Sequence, residues 1–210
     1  MKRCDGPEIM EDPSLPGEVM KVVLRDLTRT HRWLGNHRAL VKAIARDAEP
    51  VRRVLDLGCG NGDLLVRIRT RTGAEVLGVE LHPPEATSVR IVEADAVRDP
   101  LPQADIAVAV CLVHHLTENE FVELIQNVGR SCRRFIILDL VRHGLPLWLF
   151  RTFVGPWIHP VNMADGQLSI RRSFTPDEMF ALVKDAAGVG ARIRHQVAPL
   201  YTRQIVDIRY

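Results

Sequence analysis

The chain has 210 residues, 46% hydrophobic and 26% charged, with a net charge of +2. These values suit one soluble globular domain and give no global field to draw nucleic acid or an anionic membrane. No apolar h-region opens the chain, and the longest apolar stretch, Leu145 to Ile158, is broken by Arg151 and too short for a bilayer. Neither a signal peptide nor a transmembrane segment is therefore expected. Cys4, Cys59, Cys111 and Cys132 show no C-x-x-C spacing. They read as reduced thiols of a cytoplasmic protein, not as a disulfide or metal framework.

Residues 1–17 are polar and rich in Pro and Gly, and are expected to be mobile or ordered only as a flap. From Glu18, the residues Val19, Val22, Val23 and Leu27 fall at helical spacing. A second helix is expected from Asn36 to Ala48, with Leu40, Val41 and Ile44 on one face and Pro50 ending it. Residues 1–49 thus form a helical cap ahead of a main domain at 50–210. Between the helices, Thr30 to Arg38 carries His31, Trp33 and His37 beside Gly35. This stretch reads either as a cap over a cofactor or as a helix–helix turn packed on the core.

Val54 to Leu57 reads as a buried strand interrupted by Asp56. Glycines follow at 58, 60 and 62, and Leu64, Leu65 and Ile68 open a helix. A strand that feeds a helix through glycines brings bare backbone against a ligand, since glycine has no Cβ. The dinucleotide pattern G-x-G-x-x-G needs a third glycine where this chain has Asp63. Asp56 would also repel a pyrophosphate. An acid there suits a ligand with positive charge, such as an ammonium or a sulfonium, and disfavours a dehydrogenase.

With this D-x-G-x-G-x-G form the chain resembles the class I S-adenosylmethionine (SAM)-dependent methyltransferases. The resemblance implies SAM as cofactor, with Asp56, Gly58, Cys59, Gly60 and Gly62 around its methionine end. It implies an α/β fold: a Rossmann-like, seven-stranded, mostly parallel sheet with an antiparallel last strand. N-terminal helices and a helical insertion after the fifth strand complete the expected layout.

Glu75 to Leu81 reads as the second strand. Its Glu80 lies 24 positions after Asp56, where a strand-end acid can accept from both ribose hydroxyls. Pro83 and Pro84 suggest that the next helix is shortened or lost. Val89 to Glu93 is the third strand. After it, Asp95 and Ala96 match the family's acid-plus-small pair, which implies hydrogen bonds to the adenine. A turn cap is the plainer reading of Asp95.

Asp105 to Val110 is the fourth strand, ending in Cys111-Leu112-Val113-His114-His115-Leu116. In open α/β sheets, ligands sit at the carboxyl ends of the strands. Cys111 and the histidines should therefore face the transferable methyl, and the family resemblance extends to this "hHHL" sequence. Thr117 and Glu120 form a T-x-x-E capping box for the next helix. Cys132 to Leu140 is the fifth strand, with Asp139 near its end.

Residues 141–172 break the alternation and hold His143, Trp148, Phe150, Phe153, Trp157 and His159. They read as a lid or pocket for a flat apolar substrate, with a core extension or a homodimer contact as the alternatives. Thr175 and Pro176 start another helix. Residues 191–197 and 203–208 close the sheet as a hairpin.

Displacement at a sulfonium needs alignment and exclusion of water, and a phenolic acceptor must also lose a proton. His114 and His115 are the first candidates to take it, and His143 and His159 the next; a structural role stays open for each. The Asp/Asn-Pro-Pro-aromatic motif of base-methylating enzymes is absent. Asp139 has no evident partner acid, so no metal is expected. The expected activity is SAM-dependent methylation of a small aromatic or polyketide-like molecule, of a secondary-metabolism kind, at oxygen. Ring C-methylation and a non-catalytic SAM-fold binding protein are the alternatives.

Overall fold

The computed structural model describes residues 1–4, 6–12 and 14–210, with residues 11 and 31 by their backbone alone. Seven strands form one sheet: β1 Arg53–Leu57, β2 Glu75–Glu80, β3 Ile91–Glu93, β4 Ala104–Val110, β5 Cys132–Asp139, β6 Arg192–Val197 and β7 Gln204–Arg209. Their order is β3-β2-β1-β4-β5-β7-β6. Strands β1 to β5 run parallel, and β7 is antiparallel to both of its neighbours, β5 and β6. This is the expected mostly parallel sheet with a reversed last strand. The order of strands turns back between β1 and β4, so their carboxyl ends open a crevice.

The helices are α1 Gly17–Trp33, α2 Asn36–Ala45, α3 Asp63–Thr72, α4 Glu118–Ser131, α5 Gly144–Leu149, α6 Pro160–Arg172 and α7 Pro176–Ala186. Parallel strands are covered on both faces, which is why the central strands read as unbroken apolar runs. One core packs Phe121, Leu124, Ile125, Met179 and Val183 from α4 and α7 on one face. The other packs Leu40, Ile44, Leu64, Leu65 and Ile68 from α2 and α3 on the opposite face. Capping boxes at Thr117–Glu120 and Thr175–Glu178 fix the starts of α4 and α7. Gly73, at φ +72°, ends α3.

Two boundaries differ from the sequence expectation by more than one residue. Helix α2 stops at Ala45, before Ala48, and the freed Asp47 carboxylate accepts from Arg133, Arg134 and Arg209. Strand β3 starts at Ile91, because residues 81–90 pass as loop without the helix that the two prolines disfavour. Among the described residues, no disulfide joins the cysteines. Among the described residues, no helix is long and apolar enough to cross a membrane.

The stretch from Thr30 to Arg38 is a helix–helix joint, with Gly35 at φ +70° between α1 and α2. The side chain of His31 lies outside the described residues. Trp33 is 72% exposed and meets the insertion. There α5 passes into a π-helical turn, Phe150–Val154, then a 3-10 turn, Gly155–Trp157, and then α6. Arg29, Trp33, Phe153, Trp157 and Ile158 line a groove of about 420 Å³ between α1 and the insertion.

The described residues of 1–17 take the flap alternative. Arg3 donates to the carbonyls of Arg172 and Leu116, and its guanidinium stacks 4.0 Å above the Phe174 ring. The N–H groups of Ile9 and Met10 donate to the buried Asp165 carboxylate at 2.7 and 2.9 Å.

The glycine turn is packed as well as free. A Cβ on Gly78 of β2 would lie 2.4 Å from Cys59 Sγ and 3.0 Å from Ile91. Gly78→Ala should therefore displace Cys59 inside the turn, destabilising the protein by about 1–3 kcal/mol in denaturant unfolding. It should also weaken cofactor binding in the same preparation.

Candidate active site

The first part of the site is the turn after β1. Gly58, Gly60 and Gly62 have φ of +67°, +54° and +79°, the left-handed region that explains glycine at each alternate position. A Cβ on Gly58 would meet Leu112 and one on Gly62 would meet Val89, whereas Gly60 faces open space. The Gly60 N–H donates to Glu80 Oε2 at 2.7 Å, and Glu80 Oε1 accepts from the Leu81 N–H at 3.0 Å. A carboxylate has about four lone-pair sites, so acceptor capacity remains on both Glu80 oxygens.

Asp56 lies beneath this turn, 2% exposed. Among the described residues, no hydrogen bond reaches its carboxylate. Burial, and then the neighbouring Glu80 charge, push the Asp56 carboxyl up to about 8. The same two acids act with burial on Cys59, whose thiol is pushed up to about 12. The turn thus places two carboxyl groups side by side, with no cation among the described residues acting on Asp56.

Asp95 follows β3. Its Oδ1 accepts from the Val97 N–H and its Oδ2 from Arg98, both at 2.8 Å, and Arg98 also reaches Glu120. Burial would raise the Asp95 carboxyl, but the Arg98 and Val97 hydrogen bonds outweigh it and hold the carboxyl below its usual value. Asp95 therefore caps this turn, with acceptor capacity left on each oxygen. The Ala96 carbonyl is tied to Asn127 Nδ2 at 2.9 Å.

The second part of the site lies across the crevice, at the end of β4. Cys111 has φ +52°, a strained conformation for a side chain with a Cβ. Its N–H donates to the Leu138 carbonyl of β5. Burial, then Asp139 and Glu8, raise its thiol well above the usual range. A short 3-10 turn, Val113–His115, comes next. His114 is 3% exposed, and its Nδ1 lies 2.7 Å from Asp139 Oδ1. Asp139 Oδ2 also accepts from the His114 backbone N–H at 3.1 Å. Burial alone would raise the Asp139 carboxyl, but the His114 imidazole outweighs it and holds the carboxyl low. His115 stacks on His114 with centroids 4.2 Å apart, and its side chain keeps 28% exposure.

Sequence reasoning missed Glu8. The flap carries it to 3.8 Å from His114 Nε2 and 4.0 Å from His115 Nε2, and Ser169 donates to Glu8 Oε1 at 2.6 Å. Its segment has no periodicity, and nothing local in the sequence pairs it with residues about a hundred positions later.

The other two histidines lie elsewhere. His159 caps α6, accepting from the Val161 N–H, while its own N–H donates to Asp26. Arg172, at the far end of α6, donates to the His115 carbonyl. The helix has 13 residues, which separates His159 from the histidine pair by about 20 Å. His143 caps α5 and stacks on Tyr201 at 4.5 Å.

Residues 54–134 match the family model described as a methyltransferase domain. This stretch, from β1 into β5, is similar to a methyltransferase domain. The plantazolicin methyltransferase BpumL in complex with SAH is similar over 93% of this chain and 91% of its own, at 13% identity and a TM-score of 0.70. Human N-acetylserotonin methyltransferase in complex with SAM covers 89% of this chain, at 19% identity and a TM-score of 0.60. The mitomycin 7-O-methyltransferase MmcR covers 84%, at 18% identity and a TM-score of 0.58. Our chain spans 55% and 54% of those last two proteins. At these identities the likeness establishes the fold. No curated protein matches the sequence.

The glycine turn fits the cofactor's charge. A sulfonium and an ammonium beside Asp56 favour its ionised form, so binding at pH 7 should release about one proton from a carboxyl that is otherwise mostly protonated. Calorimetry in buffers of different ionisation enthalpy checks this. Asp56→Asn should release none, and should bind SAM roughly tenfold or more weakly.

Proposed function

We propose that this protein transfers the methyl of SAM to a hydroxyl oxygen of a small aromatic or polyketide-like molecule. In this reading, Asp56, Gly58, Cys59, Gly60 and Gly62 hold the methionine end of the cofactor. Glu80 takes the ribose, Asp95 and Ala96 the adenine, and Cys111 borders the methyl. SAM supplies an activated methyl carbon, so the protein's own work is alignment, exclusion of water and acceptance of one proton.

The observation that carries the reading is the corner formed by Cys111, His114, His115 and Asp139. Leu112, in the same turn, packs against Gly58 of the cofactor loop, so the imidazoles stand beside that loop. Asp139 fixes the His114 ring through Nδ1, which leaves Nε2 directed away from β5. His115, the more exposed of the pair, is the base we assign to the acceptor's proton. His159 falls outside this assignment because it caps the opposite end of α6.

The aromatic groove supports an apolar acceptor. Trp33, Phe153 and Trp157 stand at the end of α6 opposite the histidine pair. An acceptor that touches both is therefore elongated, by about 15–20 Å along that helix. In this reading residues 1–49 act as a cap and residues 141–172 as a lid. The similarity to the mitomycin 7-O-methyltransferase favours oxygen over carbon.

His115→Ala should lower kcat about 100-fold or more while SAM affinity stays within a few-fold. His159→Ala should keep kcat and lose about 1 kcal/mol of stability with its cap. Steady-state kinetics beside SAM calorimetry distinguishes the roles; equal loss of turnover and SAM affinity in His115→Ala would make that residue structural.

A further inference from the structure

We propose that Glu8, His114 and His115 form a binding site for one divalent transition-metal ion of the zinc class. One ligand atom from each lies within 4.8 Å of the others. Glu8 Oε1 is 3.8 Å from His114 Nε2 and 4.0 Å from His115 Nε2. An ion with ligands about 2.0–2.2 Å away holds its donors roughly 3.4 Å apart. The two carboxylate–imidazole distances need to close by about half an ångström, and the imidazole–imidazole distance, at most 4.8 Å, by up to about 1.4 Å. Two imidazoles and one carboxylate suit Zn²⁺ or Co²⁺, whereas Mg²⁺ and Ca²⁺ prefer oxygen ligands. Three protein ligands leave a fourth position open.

A second, independent feature is the shell behind the ligands. Asp139 Oδ1 lies 2.7 Å from His114 Nδ1, the carboxylate–histidine arrangement that orients a ligating imidazole. Ser169 donates to Glu8 Oε1, and Asp165 accepts from the N–H groups of Ile9 and Met10, so the residues following Glu8 are fixed. Glu8 and His114 are 4% and 3% exposed, so two of the three ligands are buried, and an ion would offset the charge of the buried carboxylate. The sequence expectation of no metal concerned Mg²⁺ on Asp139 and a second acid; the site proposed here instead takes Glu8 and the two histidines as ligands, with Asp139 behind His114.

The site does not depend on which histidine takes the acceptor's proton. A coordinated Nε2 has no lone pair left for a proton, however, so the ion and the histidine base exclude one another. Metal-loaded protein should turn over more slowly than chelator-treated protein.

The test is titration of the intact, chelator-treated protein with Co²⁺, followed by its ligand-field absorption. One saturable equivalent, displaced by Zn²⁺, is expected. Glu8→Gln and His115→Ala should weaken Co²⁺ binding at least tenfold, and Asp139→Asn by about 10–100-fold. His195→Ala, on β6, should titrate like the wild type. SAM affinity, which Glu8→Gln should leave intact, reports that each variant is folded. Absence of a saturable signal in the wild type would overturn the site, as would Glu8→Gln and His115→Ala both titrating like it. Saturable Co²⁺ binding with faster turnover would uphold the site and overturn the histidine-base reading instead.

Discussion

The cost of burying a carboxylate governs the ligand edge of this sheet. Two acids, Asp56 at the end of β1 and Asp139 at the end of β5, are 2% and 1% exposed. They are treated in opposite ways. Asp139 has an imidazole at 2.7 Å and a low carboxyl. Asp56 has no cation, faces Glu80, and is pushed up to about 8. Burial disfavours charge in both, and the difference lies in the partner. One acid is committed to holding His114, and the other has no counter-ion among the described residues. That division separates the glycine-turn half of the crevice from the half that carries the histidine pair.

The topology brings these halves together. The switch between β1 and β4 opens the crevice, and the turns after both strands meet where Leu112 packs against Gly58. The Gly60 N–H, bound to Glu80 at 2.7 Å, ties the turn after β1 to the end of β2. Tight packing completes the frame, with Gly78 under Cys59 and Gly62 under Val89. The flap then closes the histidine side with Arg3 over Phe174 and Glu8 against the histidines.

The geometry of the glycine turn was legible in the sequence because it is local. Alternate glycines at 58, 60 and 62 announce left-handed backbone, and the spacing from Asp56 to Glu80 is set by one strand, one helix and a second strand. The capping boxes at Thr117 and Thr175 were equally readable, since their partners are three residues away. Asp95 was less so: the acid was found, but its engagement with Val97 and Arg98 is a detail of the turn. Glu8 was out of reach, because it acts across the whole fold from a segment with no pattern. The groove was half visible, as aromatic residues at 33, 153 and 157 whose meeting depends on how α1 crosses the insertion.

The central claim is that the methyl faces the corner formed by Cys111, His114 and His115. A crystal structure with S-adenosylhomocysteine tests it most directly. The account predicts the sulfur in front of Leu112 and His115, the ribose hydroxyls on Glu80, and the amino group on the Asp56 side of the glycine turn. A sulfur directed away from the end of β4, with the histidine pair outside the space in front of it, would contradict the account.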